Sequence, residues 1–196
     1  MSRVLWGTPF LLTLLLVPAS ASAAARFGEV EGHFSIGYAK LSTADASGGS
    51  ISPGGSISMG AGLDYPLTPT LRAGLDLGYD LLGSQTVQRY GNSAAVDYSA
   101  LEVTAFLHWL PRQGPVRRVS LGPALVNGQR ILSTTGGSTD FDDLAGPFTA
   151  GAVAAQITLM KARSAPVKLG LELGGRLAFL AGEDWTLLSV RATVHY

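Results

Sequence analysis

Apolar and polar residues alternate one by one along most of this chain, and that alternation, more than any local motif, carries its structural information. From Val30 it sets Val30, Gly32, Phe34, Ile36 and Tyr38 against Glu31, His33, Ser35, Gly37 and Ala39. A side-chain period of 2 is that of a strand whose two faces meet different surroundings. A second run puts Ile57, Met59, Ala61, Leu63 and Tyr65 opposite Ser58, Gly60, Gly62 and Asp64. The third is the sharpest: Leu71, Ala73, Leu75, Leu77, Tyr79 and Leu81 share one parity, and Arg72, Gly74, Asp76, Gly78 and Asp80 the other. Its two glycines also argue against a helix through the same leucines. Further runs cover 101–109, 119–125, 148–159, 167–179 and the closing stretch, where Leu188, Val190, Ala192, Val194 and Tyr196 alternate with Ser189, Arg191, Thr193 and His195.

Segments rich in Ser, Gly and Thr at 41–55, 83–95 and 127–146 read as three long loops, while 66–70, 111–115 and 161–166 read as short turns. The result is eight strands in antiparallel order, joined by long and short connections in turn. Pro123 lacks the donor that a ladder needs, so a bulge or an early strand end is expected there. In the Ala-rich run 148–159 the outward set is read as Val153, Ala155, Ile157 and Leu159. Trp185 and Leu187 break the apolar parity of the last strand and leave its beginning less defined.

Composition narrows the class. The 196 residues suffice for one sizeable domain, and 14 basic against 14 acidic side chains leave no basic surface, which argues against a nucleic-acid partner. Absence of cysteine removes disulfides and thiolate chemistry. Arg3, an apolar run through Leu11, Leu12, Leu14, Leu15, Leu16 and Val17, then Pro18 and small residues to Ala25 read as a cleavable signal peptide, cut after Ala23 or Ala25. The apolar run is short of the roughly 20 residues that span a bilayer as a helix.

Two architectures fit eight such strands. In a soluble barrel or sandwich the apolar faces form the core; in a transmembrane barrel they face lipid and the polar faces fill the lumen. The polar faces here interleave glycines (Gly60, Gly62, Gly74, Gly78, Gly170, Gly174) with single charges, which suits a narrow lumen better than a solvated surface. Aromatic residues fall near predicted strand ends, with Tyr38, Tyr79, Tyr98, Phe148, Phe179 and Trp185 at one rim and Phe27, Tyr65, Trp109 and Tyr196 at the other. Two such girdles are expected at membrane interfaces. A one-residue slip of the third strand would put Arg72, Asp76 and Asp80 into lipid, at roughly 2–4 kcal/mol for Arg near the midplane. The reading is an eight-stranded antiparallel up-and-down transmembrane β-barrel over 26–196, following a signal peptide over 1–25.

With that leader, that strand count and the ending Val194-His195-Tyr196, the chain resembles the small outer-membrane β-barrels of the OmpA transmembrane-domain and OmpX type. The resemblance implies the outer membrane as location and its lipid and lipopolysaccharide as surroundings. It also implies that Val190, Ala192, Val194 and Tyr196 are read by the outer-membrane assembly machinery, with Tyr where Phe is commoner, and that the loops meet an extracellular ligand of unknown kind.

The predicted lumen holds Glu31, Asp64, Asp76, Asp80, Glu102 and Glu172 together with Arg72, Arg118, Lys168, Arg176, Arg191, His33, His108 and His195. Near-matched charges point to a structural polar network, since lone buried charges are unaffordable. No cofactor or metal is called for. The alternatives are a small gated pore, a secreted soluble ligand-binding barrel, and an enzyme acting on lipid A. For the last, Glu31, His33 and Ser35 loosely imitate an orienter, a base and a nucleophile, but their parity points them inward. Asp140, Asp142 and Asp143 form an acidic loop without a complete calcium motif.

Overall fold

A computed structural model describes residues 30–45, 50–51, 53–89, 92–134, 145–164, 167–180 and 183–196. The signal-peptide reading, Phe27 and the Asp140, Asp142 and Asp143 loop lie outside the described residues. The strands are β1 (Glu31–Asp45), β2 (Ser50–Ile51), β3 (Ser56–Thr68), β4 (Leu71–Arg89), β5 (Asn92–Trp109), β6 (Val116–Thr134), β7 (Gly146–Ser164), β8 (Val167–Leu180) and β9 (Glu183–His195). β2 pairs only with the far end of β1, through Thr43 and Ala44. The other eight strands are the staves of a closed antiparallel barrel, each paired with its sequence neighbour, and β9 returns to β1. That seam runs from His33 opposite His195 to Asp45 opposite Glu183. Below it the Tyr196 amide donates to the Gly32 carbonyl and the Gly32 amide to the Tyr196 carbonyl, both at 3.0 Å. No sheet edge is left along the seam, as a span through hydrocarbon requires.

The exterior is apolar. Phe34, Ile36, Leu63, Leu75, Leu77, Leu121, Leu173, Leu188 and Val190 all point outward and are exposed, Leu188 at 60%. Such a continuous belt would be an aggregation hazard in water and is the surface that a bilayer wets. Tyr65, Trp109 and Tyr196 stand exposed at the end of the barrel that carries the turns, and Tyr38, Tyr79 and Phe179 stand exposed further up. On β7 the outward residues include Val153, Ala155 and Ile157, with Ala150, Ala152, Ala154, Gln156 and Thr158 buried opposite them.

Several boundaries differ from the sequence reading. Strands extend into the segments read as loops at 41–55, 83–95 and 127–146: β1 runs to Asp45, β4 to Arg89 before β5 resumes at Asn92, and β6 to Thr134. Polar residues alternate in a strand as well as apolar ones do, so composition alone hid the continuation. In the same way β7 runs through Lys161 to Ser164, where a turn was expected. A tilted strand needs about 9–11 residues to cross the hydrocarbon. The 19 residues of β4 therefore continue well past it, and there the outward side chains turn polar, with Ser84, Thr86 and Gln88 exposed.

β6 does not end at Pro123. Its register with β7 continues through Gly122–Ala154 and Pro123–Val153, and only the ladder to β5 lapses opposite Ala105 and Phe106, on an unchanged register. Register shifts fall elsewhere, at Pro66/Thr68 of β3, Val116/Arg118 of β6 and Leu159/Ala162 of β7, and as a bulge at Leu81/Gly83 of β4, where Gly83 has a φ of 83°. A side chain there would strike the Gly54 carbonyl as well as strain the backbone. The bulge tucks Leu82 into the interior.

Three aromatics assigned to the rim sit inside instead. Tyr98 and Trp185 are buried, and Phe148 packs edge-on against Trp185 with ring centroids 4.3 Å apart. Trp185 and Leu187 keep the inward parity of β9; what they break is its polarity. With Leu41, Leu82, Val96, Ala100, Val126 and Ala178 they form an apolar cluster across the half of the lumen nearer the loops.

Candidate functional site

Beneath that cluster the other half of the lumen is polar, and its side chains arrive because alternate residues of all eight staves must point inward. Counting up from the turn end, Glu31 meets Arg72 Nη1 at 2.8 Å, Lys168 Nζ at 3.2 Å and His195 Nδ1 at 3.5 Å. Lys168 and Arg72 retain 42% and 22% side-chain exposure, so this layer forms the mouth.

The next layer centres on Asp64. Arg118 Nη1 donates to its Oδ2 at 2.8 Å, His108 Nε2 lies 2.9 Å from its Oδ1, and His33 Nδ1 lies 3.9 Å from the same oxygen. His108 Nδ1 is held 2.7 Å from Ser120 Oγ, and His33 Nε2 3.3 Å from Asp76 Oδ2. Two glycines make room. A Cβ on Gly74 would fall 2.0 Å from His108 Nε2, and one on Gly62 would fall 2.3 Å from Asp76 Oδ1 and 2.6 Å from His33 Cε1. Arg118 also donates from Nη2 to Glu172 Oε2 at 3.2 Å and from Nε to Thr158 Oγ1 at 3.3 Å, which ties β6 to β3, β7 and β8 across the lumen.

Above it, Arg191 reaches Glu172 at 3.8 Å, donates to Ser58 Oγ at 2.7 Å and approaches Asp80 Oδ1 at 3.4 Å. Ser58 in turn donates to Asp80. Arg176 pairs with Glu102 and, at 3.6 Å, with Asp80 Oδ2, and Thr104 donates to Glu102 Oε1 at 2.6 Å. Every charged or imidazole residue read from the sequence as lumenal thus lies in one connected array. Removing a single member of the layers above the mouth strands a buried charge, which is the costly way to disturb such a network.

The sequence reading missed the apolar cap. Leu41, Leu82, Val126, Trp185 and Leu187 line the narrow space directly above Asp80, Glu102 and Arg176. The guanidinium of Arg130 stands over the rings of Phe148 and Trp185, at 5.3 and 5.8 Å. A signal existed in Trp185 and Leu187, two apolar residues on a polar parity, while Leu82 was concealed by the bulge.

The seryl, histidyl and acidic trio of Glu31, His33 and Ser35 also points into this interior. His33 and Ser35 are each 2% exposed.

No protein-family model and no curated protein matches the chain. Solved structures do. The chain is similar to Ail, the attachment invasion locus protein of Yersinia pestis, with a TM-score of 0.59 at 15% identity, covering 86% of this chain and 99% of that one. Ail has also been solved in complex with the heparin analogue sucrose octasulfate, and that structure matches at a TM-score of 0.56 and 14% identity, over 86% and 99% of the chains. Neisserial surface protein A matches at 0.52 and 15% identity, over 83% and 96%, and a major outer membrane protein of Thermus thermophilus at 0.50 and 11%, over 84% and 99%. The fold is that of the small outer-membrane β-barrels, and the apolar belt is the surface that such a barrel turns to lipid.

Proposed function

We propose that this outer-membrane barrel is a sealed scaffold that carries an interaction surface out of the bilayer on its extended strands. The observation behind the reading is the pairing of two features: a lumen filled by ion pairs and capped by apolar side chains, and staves β4 to β7 that run 18 or 19 residues. That is nearly twice what the hydrocarbon needs. A pore does not need the extra length, whereas a surface projecting beyond lipopolysaccharide does. The turn end faces the periplasm, residues 1–25 are the leader removed on export, and Val190, Ala192, Val194 and Tyr196 engage the assembly machinery. N-terminal sequencing of the mature protein from outer-membrane fractions is expected to begin at Ala24 or Arg26.

The partner class differs from that of a polyanion receptor. The strand ends at the far end carry Asp45, Asp97, Glu183 and Asp184 against Lys40, Arg89 and Arg130, and the sequence joining β6 to β7 adds Asp140, Asp142 and Asp143. An acidic surface repels sulfated sugars of the kind seen with Ail and favours neutral or basic protein partners. Cells displaying the full chain would adhere to matrix-glycoprotein-coated surfaces and not to heparin-coated ones. Replacing 83–95 and 129–146 by tight turns would abolish that adhesion while leaving a barrel with heat-modified gel mobility. Equal adhesion of the full and trimmed chains would overturn the reading.

A further inference from the structure

The chain has three histidines, and all three converge on the turn half of the lumen, although the strands that carry them lie far apart in sequence. His33 and His195 face each other across the β1–β9 seam with ring centroids 5.3 Å apart, and Asp64 projects from β3 beside them. One ligand atom from each of His33, Asp64 and His195 lies within 4.8 Å of the others. We propose that these three residues form a binding site for a divalent transition-metal ion of the zinc type, reached from the periplasmic mouth.

The orientation of each group supports this. Metal-bound imidazoles commonly hold their second nitrogen against a carboxylate, which fixes the ring and raises its basicity. His33 has Nε2 at 3.3 Å from Asp76 Oδ2, which leaves Nδ1 turned toward Asp64. His195 has Nδ1 at 3.5 Å from Glu31 Oε1, which leaves Nε2 beside Thr193 Oγ1 at 3.3 Å. Asp64 has Oδ2 committed to Arg118, and its Oδ1 lies between His33 Nδ1 at 3.9 Å and His108 Nε2 at 2.9 Å. His33 Nδ1 is buried without an aligned hydrogen bond, and His33 and Asp64 are each only 2% exposed. Leaving a buried nitrogen in that condition is costly, and a cation held between it and Asp64 removes the cost.

Charge and ligand type agree. Glu31, Asp64, Asp76, Asp80, Glu102 and Glu172 outnumber Arg72, Arg118, Lys168, Arg176 and Arg191 in the network, so a further cation is accommodated. Two imidazoles and one carboxylate suit zinc, nickel or copper(II) and disfavour magnesium or calcium. A second trio, Asp64, Asp76 and His108, shares Asp64. It offers one imidazole and two carboxylates where the first offers two imidazoles, so it is the weaker claimant for such an ion.

The test uses the complete refolded barrel in lipid nanodiscs, stripped with chelator and titrated calorimetrically with zinc chloride. Expected is one zinc per barrel, no uptake of magnesium or calcium, and cobalt(II) ligand-field absorption that zinc displaces. Loss of an outer partner of a metal site costs about 10–100-fold in affinity, and loss of a ligand costs more. His33→Gln and His195→Gln are each expected to weaken zinc binding beyond 100-fold, and His108→Gln, which removes only an outer partner of Asp64, by no more than about 10–100-fold. Imidazole nitrogen resonances of the wild-type barrel supply a readout independent of variant folding, with those of His33 and His195 shifting on zinc addition by far more than those of His108. Absence of stoichiometric uptake, undiminished uptake by the His33 or His195 variant, or zinc shifts confined to His108 would each overturn the proposal.

Discussion

Gly74 illustrates how closely the interior is fitted. Its missing Cβ is the space that His108 and Asp64 occupy, so Gly74→Ala is expected to destabilise the barrel by about 1–3 kcal/mol, the usual cost of overpacking. Gly151 points outward with nothing within 4 Å of an added Cβ, and Gly151→Ala should stay within about 0.5 kcal/mol. Urea unfolding in lipid vesicles measures both. Depth matters for charges in the same way. Asp64→Ala removes a partner of buried Arg118 and His108 and should cost about 3–5 kcal/mol, whereas Glu31→Ala, whose cationic partners Lys168 and Arg72 reach solvent although its neighbour His195 is buried, should cost about 1–2 kcal/mol. At this scale the sequence was most informative for ionisable groups, because a charge has only one tolerable side of a membrane wall. It was least informative for apolar residues such as Leu41 and Trp185, which either side accepts.

Among the strands, parity was legible and length was not. The alternation of β3 and β4 located their lipid faces residue by residue, since a slip of one would exchange Leu77 for Asp76. Nothing comparable marks where a stave leaves the bilayer, because Ser84, Thr86 and Gln88 continue the same backbone in a wetter setting. The structure turns this into a measurable boundary. Leu77→Arg is expected to cost roughly 2–4 kcal/mol, as for arginine near the midplane, while Thr86→Arg on the same strand should change stability by no more than about 0.5 kcal/mol. The same vesicle-based unfolding distinguishes them. Pro123 marks another limit of sequence reading. It removes one donor toward β5, but the uninterrupted ladder to β7 holds the strand on course.

For the molecule as a whole, the lumen is closed twice, by ion pairs in one half and by packed side chains in the other. Planar-bilayer recordings should therefore show no stepwise conductance for the wild type, and Glu172→Gln or Arg176→Gln should not create it, because Leu41, Leu82, Trp185 and Leu187 still obstruct the path. Discrete openings in either variant would show that the apolar layer is not a seal. The closed, antiparallel topology was readable from strand count and connection rhythm. The division of the interior into two unlike halves was not, because it depends on which strands face one another across the lumen.

Arg118 has a consequence for how the ring comes into being. It stands on β6, yet its partners stand on β3 and β8, and Glu172 passes the connection to Arg191 on the last strand. In a partly curled sheet those groups lie on separate staves with water between them, and they satisfy one another only when the first and last strands meet. The bonds that span the bore therefore act as a drawstring: they contribute little until closure and most of their strength at the moment of it. Such a chain should shut in one concerted step, and its half-made forms should be short-lived.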